Sequence, residues 1–386
     1  MRPLSLYLHL PFCVRKCRYC DFLSHPAPEE EIRAYVRTLC AEAEQQGMKY
    51  GGRTVDTVFF GGGTPSLLSG ELFGEIMQRI FRCFKVEPGA EITMECNPGT
   101  LTYENITRCR QEGVNRLSIG AQSFLDKELL LLGRIHRAID IEESFALARS
   151  VGFRNISLDL MSALPGQTTE DFLYSVRKAI DLSPEHLSVY SLITEEGTEL
   201  GDAYLDGSYV EKGWSALPDE DTERAMVHET ARCLKEAGYE QYEISNYAKP
   251  GFSSRHNTGY WTGHDYLGLG IGAASKIGNT RFSNPSDTAT YQRMIVGQQA
   301  EEARDVQLLS KKEEMEEFCF LGLRMTEGIS TAVFERTFGA PFEEVYGEVL
   351  AKHLQTGLLA KEGDNVFLTE RGLDLANRVM ADFLLD

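Results

Sequence analysis

Six times between residues 4 and 237 the chain passes from a short apolar run to an amphipathic one, and this alternation limits its possible folds more than any single residue does. The apolar runs cover 4–10, 55–60, 91–95, 116–119, 156–160 and 186–193. Helical periodicity follows each of them, from 29 onward, over 70–84, up to about 113, up to about 152, over 169–182 and over 219–237. Neighbouring parallel strands need a crossover long enough to hold a helix, so the pattern predicts a parallel sheet covered by helices. A full or partial (β/α)6 barrel and a doubly wound sheet both satisfy it. Placement favours the barrel: the residues of unusual chemistry, including Gly61-Gly62-Gly63, Glu95, Gln122, Asp159 and Tyr190, fall at the carboxyl ends of the strands, which a barrel gathers on one face.

The first of those strand ends carries Cys13-Val-Arg-Lys-Cys17-Arg-Tyr-Cys20. Three soft thiolates on one tight loop can hold three corners of a 4Fe-4S cubane, leaving the fourth iron open to a small molecule. Zinc is the competing reading, although zinc sites usually add a second CxxC or a histidine pair, and only His9 and His25 lie nearby. Three free thiols without metal are the plainest alternative. The other six cysteines are scattered, and nine is an odd number, so the chain has no disulfide framework and fits a reducing compartment. A cleaved leader would remove part of the cysteine loop, and no run of about 18 apolar residues is present. The expected location is the cytoplasm.

Thirty-nine basic residues against 58 acidic give a net charge of −19, which opposes binding to nucleic acid or anionic lipid. Beyond residue 240 the texture changes. Residues 241–300 are rich in glycine and aromatics, contain His256-Asn-Thr-Gly-Tyr-Trp261, and are expected to form a lid and extra sheet over the barrel mouth. Residues 301–386 are expected to form a separate helical module, with a hairpin around 362–365, that resembles a winged helix; 18 acidic and 9 basic residues there argue against DNA reading. The glycine loop Gly61-Gly62-Gly63-Thr64-Pro65 lets backbone approach a ligand, or simply makes a tight turn. Taken singly, Glu95, Gln122, Arg134 and Asp159 are as readily caps or surface groups as ligands.

Tyr7-Leu-His-Leu-Pro-Phe-Cys13 and Tyr19-Cys20-Asp21-Phe22, with the glycine loop and Asp159-Leu-Met-Ser-Ala-Leu-Pro-Gly-Gln167, resemble the radical S-adenosylmethionine (radical SAM) enzymes related to oxygen-independent coproporphyrinogen III oxidases. The resemblance implies a partial radical SAM barrel over 1–240, a 4Fe-4S cluster on Cys13, Cys17 and Cys20, and S-adenosyl-L-methionine held by Gly62, Gly63, Thr64, Glu95, Gln122, Arg134 and Asp159. Tyr7 and Tyr19 would stand near the cluster, Tyr19 on the adenine side. Within this group the chain is most similar to the HemW-type haem chaperones: Phe22 stands where the oxidases have a further cysteine, and His256 to Trp261 resembles the HNxxYW signature linked to haem. That resemblance implies haem as a cofactor, with His256 as its ligand, haem-acceptor proteins such as respiratory enzymes as partners, and a homodimer as a possible assembly. Physical reasoning alone makes His256 a structural residue as readily as a ligand. If the chain is catalytic, the implied reaction is that of the oxidase in porphyrin metabolism.

Overall fold

In the computed structural model, residues 3–297 and 303–385 are described. Six strands form the core: β1 (Leu4–Leu10), β2 (Thr54–Gly62), β3 (Lys85–Cys96), β4 (Arg116–Gln122), β5 (Ile156–Ser162) and β6 (His186–Ser191). They are parallel and adjacent in chain order. A doubly wound sheet reverses its strand order at a switch point, so the sequential order selects the barrel. Curvature brings strands that are not neighbours together: Glu95 on β3 lies within electrostatic reach of both Asp159 on β5 and Tyr190 on β6. The barrel is open. Neither β1 nor β6 pairs with the other, and each accepts an additional strand instead.

The remaining strands of the large sheet come from the glycine-rich segment and its continuation. They are β7 (Glu240–Glu243), β8 (Asn246–Ala248), β9 (Asp265–Leu269), β10 (Ala274–Ile277), β11 (Thr280–Ser283) and β12 (Asp305–Leu308). β8 pairs antiparallel with β6, and β9 runs parallel to β1. An extra sheet was expected, and one part of this segment lies away from the mouth. Its helix Arg255–Trp261 docks low in the barrel, where His256 meets Thr57 and the His256 and Arg255 N–H groups donate to Glu91. Thr57 and Glu91 are paired partners several residues before the carboxyl ends of β2 and β3. This helix therefore floors the barrel, while Gly270 and Gly272 of the same segment lie beside His9 and Leu23 at the other end. The brevity of the helix has a local cause: Ser254 caps the helix start, Gly259 sits inside it, and Gly263 turns the chain at φ +70° just beyond.

The C-terminal module has its own apolar core around Phe334, Phe342, Tyr346 and Phe383. Its sheet consists of β13 (Ile329–Ser330), β14 (Leu359–Glu362) and β15 (Asn365–Leu368), with the β14–β15 hairpin where expected. The boundary differs from expectation. Asp305–Leu308 pairs with β11 in the large sheet, so the module begins at the helix Lys311–Gly322, which Ser310 caps, and residues 298–302 lie outside the described residues. The helix Thr331–Phe338 was not foreseen, because Thr, Val and Phe read as strand formers until packing against Phe318 and Phe342 decides otherwise. Among the described residues no helix is long and apolar enough to cross a membrane.

Candidate functional site

The cysteine loop leaves β1 at Leu10 and is held against the glycine loop by backbone hydrogen bonds: Gly63 N–H donates to Leu10 O at 2.8 Å and Thr64 N–H to Phe12 O at 2.7 Å. Close approach requires glycine. A Cβ on Gly63 would stand 2.6 Å from Phe12 O, and one on Gly62, at φ +102°, would stand 2.4 Å from the His9 ring. Cys13, Cys17 and Cys20 are half-buried and free, whereas Cys40, Cys96, Cys109 and Cys319 are buried.

A chain of polar contacts joins the thiols to three strand ends. The Thr64 hydroxyl lies 3.3 Å from Cys13 Sγ and accepts from Asn97 Nδ2 at 2.7 Å. Arg134 donates to Asn97 Oδ1 at 2.5 Å and to Gly120 O at 2.7 Å, and its other nitrogen points at Cys17 Sγ, 3.6 Å away, and at Tyr19 OH, 3.5 Å away. A guanidinium so placed puts a positive charge beside the Cys17 sulfur. Burial raises the Tyr19 hydroxyl despite Arg134, so Tyr19 stays neutral and packs against Leu132, Met161 and Leu164.

Below this chain the barrel interior is polar. Gly62 N–H donates to Glu95 Oε2 at 3.2 Å, and Ser118 and Ser157 donate to Asp159 at 3.1 and 3.2 Å. By surface area Glu95 is only half-buried, because the barrel interior is open above it, yet protein surrounds it. That surrounding, with Asp159 second in weight, pushes its carboxyl up to about 8. Burial also raises Asp159, against hydrogen bonds that lower it. Two carboxyl groups in poor solvation favour a cationic guest. Gln122 ends β4 at φ +65°, a conformation few side chains adopt, with its amide against Gly120. Tyr7 hydrogen-bonds His9 Nδ1 at 3.1 Å, and His9 Nε2 meets Leu23 O at 2.8 Å.

The structure thus brings Tyr7, Tyr19, the three cysteines, Gly62, Gly63, Thr64, Glu95, Arg134 and Asp159 to one end and interior of the barrel, with Gln122 at the same rim. His256 stands apart from them. Its Nδ1 meets Thr57 Oγ1 at 2.8 Å, its Nε2 meets Tyr260 OH at 2.9 Å, and Phe59 stacks on it at 5.0 Å. Burial drives its pKa down to about 3. With both nitrogens engaged and 1% of its surface exposed, it presents no lone pair to an iron in this arrangement. Trp261 of the same helix lies under Arg324 at 4.3 Å, and Arg324 faces the buried Glu243 at 3.5 Å, so the motif helix joins the barrel floor to the C-terminal module. Asn97 is not among the residues singled out from the sequence; its place just past a strand end, like that of Thr64, was the available signal.

Among the described residues no three His, Cys, Asp or Glu side chains close around a single metal ion. A cubane does not ask for that, since each cysteine binds a different iron. The donor set fits one: three thiols on one loop, a glycine cradle that a Cβ would fill, and a cation beside Cys17.

Residues 7–179 match the profile of the Radical SAM superfamily, and residues 309–375 match the HemN C-terminal domain. The heme chaperone HemW of Bacillus subtilis is 38% identical over 98% of this chain and 99% of its own length. HemW of Escherichia coli is 37% identical over 100% and 99%. The structure of coproporphyrinogen III oxidase (HemN) from Escherichia coli superposes with a TM-score of 0.84 over 99% of this chain and 90% of that one, at 24% identity, which speaks for the fold alone. With a family relative matched from end to end and the thiol loop seated at the mouth of an open barrel, the chain belongs to the HemW family of the radical SAM superfamily.

Proposed function

We propose that this protein is a haem chaperone of the cytoplasm: it binds haem and passes it to haem-requiring proteins, respiratory enzymes among them, with a 4Fe-4S cluster on Cys13, Cys17 and Cys20. The observation that carries this reading is the match to HemW chaperones along both full lengths. When bound, such a cluster supplies one-electron chemistry at an open iron. The chain's own residues do the rest. Gly62 and Gly63 present backbone where a side chain would obstruct, Thr64 and Asn97 hold the loop, Arg134 balances thiolate charge, and Glu95 with Asp159 receives the cationic end of S-adenosyl-L-methionine. Tyr7 and Gln122 border the same space, and Tyr19 backs Arg134. The acidic surface keeps the protein from nucleic acid and anionic lipid, leaving haem and protein acceptors, with a second copy of the chain among the candidates.

Haem titrated into the purified, cluster-reconstituted protein should give a saturable shift of the haem absorbance. Subsequent addition of apomyoglobin as a probe acceptor should recover that haem. Absence of saturable binding would overturn the reading. So would anaerobic conversion of coproporphyrinogen III to a divinyl product, which would make the protein an oxidase.

A further inference from the structure

We propose that His186 is a positioning residue for the carboxyl pocket: through Ser157 it orients the Asp159 carboxylate, and through Tyr242 it ties that carboxylate to the helix Arg255–Trp261. This rests on the reading above that Asp159 receives the cationic end of S-adenosyl-L-methionine, and it adds the residues that hold Asp159 in place. His186 opens β6 beside Ser157, its paired partner on β5, and both are fully buried. Ser157 Oγ lies 2.8 Å from His186 Nδ1 and 3.2 Å from Asp159 Oδ1. On the other side of the ring, His186 Nε2 lies 2.8 Å from Tyr242 OH, which meets the Ser254 N–H at 3.2 Å. Ser254 caps the helix that carries His256 and Trp261, its hydroxyl accepting from Asn257 N–H. An unbroken line of hydrogen bonds thus runs from the interior carboxyl to the barrel floor.

The far end of the line fixes its direction. A backbone N–H can only donate, so the Tyr242 oxygen accepts from Ser254 and the Tyr242 O–H is turned to His186 Nε2. Nδ1 then carries the ring proton and donates to Ser157, whose own O–H is left for Asp159. The order ends on an oxygen that must accept, as an ionised carboxylate does. The opposite order would set an Nε2–H and the Ser254 N–H against one oxygen. Burial, with Arg116 nearby, holds the His186 ring neutral, and burial keeps the Tyr242 proton in place, as this order requires. Around Asp159, Glu95 opposes its charge, whereas Arg116, Ser118 and Ser188 favour it. The line through His186 is what joins it to the floor helix. A hydroxyl polarised by such a chain donates more strongly than one free to turn, so the carboxylate at its end holds a cation more tightly.

The test is S-adenosyl-L-methionine binding by isothermal titration on the cluster-reconstituted full chain, with amide hydrogen–deuterium exchange over the helix Arg255–Trp261 read with and without the ligand. His186→Gln offers an oxygen near the lost Nε2 but no donor to Ser157, and should bind about three- to tenfold more weakly than wild type. His186→Asn places an amide N–H near the lost Nδ1 and should recover most of that loss. In wild type the ligand should slow exchange in the helix, and Tyr242→Phe, which cuts the line beyond His186, should abolish that protection. Equal affinities in the two His186 variants would overturn the proposal, since a ring needed only for packing is missed equally by both. Helix exchange that the ligand leaves unchanged in wild type, or slows equally in Tyr242→Phe, would overturn it too. Should a His186 variant lose its circular dichroism, Ser157→Ala decides, and wild-type affinity there overturns the proposal. Wild-type affinity in Asp159→Asn, or no binding by wild type, would instead overturn the reading on which it rests.

Discussion

Glu95 makes a quantitative prediction. Its carboxyl rises from 4.5 to about 8 because protein surrounds it and Asp159 stands opposite. At 1.36 kcal/mol per pKa unit, charging it in the empty barrel costs at most about 5 kcal/mol. Near neutral pH the group is therefore mostly protonated until a cation arrives. If S-adenosyl-L-methionine binds beside the ionised form, binding releases about one proton from Glu95, and the dissociation constant tightens about tenfold per unit as pH rises from 6 towards 8, then levels off. Isothermal titration in two buffers of different ionisation enthalpy, on the cluster-reconstituted protein, counts that proton. Glu95→Gln removes it while retaining the Gly62 contact, and any proton from the ligand's own ammonium is common to both proteins, so the difference isolates Glu95. Equal proton counts in wild type and variant would refute the reasoning, since Glu95 would then already be ionised. The same shift affects folding. The native state holds the proton that the unfolded chain loses at 4.5, so this group's contribution to stability falls as pH rises through the window from 4.5 to about 8, and Glu95→Gln should flatten that fall in denaturant melts.

Other perturbations test the remaining contacts. Gly63→Ala should destabilise the protein by about 1–3 kcal/mol in thermal or urea melts and lower iron content after reconstitution, because its Cβ collides with backbone that cannot move independently. Arg134→Ala leaves Asn97 Oδ1 and Gly120 O without their donor and should cost about 1–3 kcal/mol of stability; Arg134→Lys cannot span both acceptors and Cys17, so reconstituted iron content should fall in both variants. Single Cys13, Cys17 or Cys20→Ala variants should lose iron and sulfide by elemental analysis, whereas Cys233→Ala should retain both. A double-mutant cycle on Trp261 and Arg324 should return a coupling of about 1–2 kcal/mol in denaturant melts.

Much of this architecture was legible in the sequence, for reasons that differ by region. The helix Thr169–Leu182 falls where periodicity placed it, because the Thr168 cap and an apolar stripe agree. β3 begins at Lys85, six residues earlier than its apolar run, since Pro88 and Gly89 disguise an exposed extension of the strand. Site residues at strand ends could be anticipated because a barrel gathers those ends. The floor helix could not: Tyr260 and Trp261 carry no local sign of which end of a barrel they will close, and only the pairing of Thr57 with His256 across 199 residues decides it.

The seat of Arg324 has a consequence for how this protein can be divided. Glu243 is wholly buried in the large sheet, and its countercharge is supplied from beyond the helix Lys311–Gly322; Lys276 and Arg281 likewise reach across to Glu317 in that helix. A chain stopped at residue 310 would strand a carboxylate in the dark at a cost of about 3–5 kcal/mol and uncover an indole at the same stroke. The tail is thus no detachable accessory. It is the last stone that locks the lower ring of the barrel, and the two parts should unfold together.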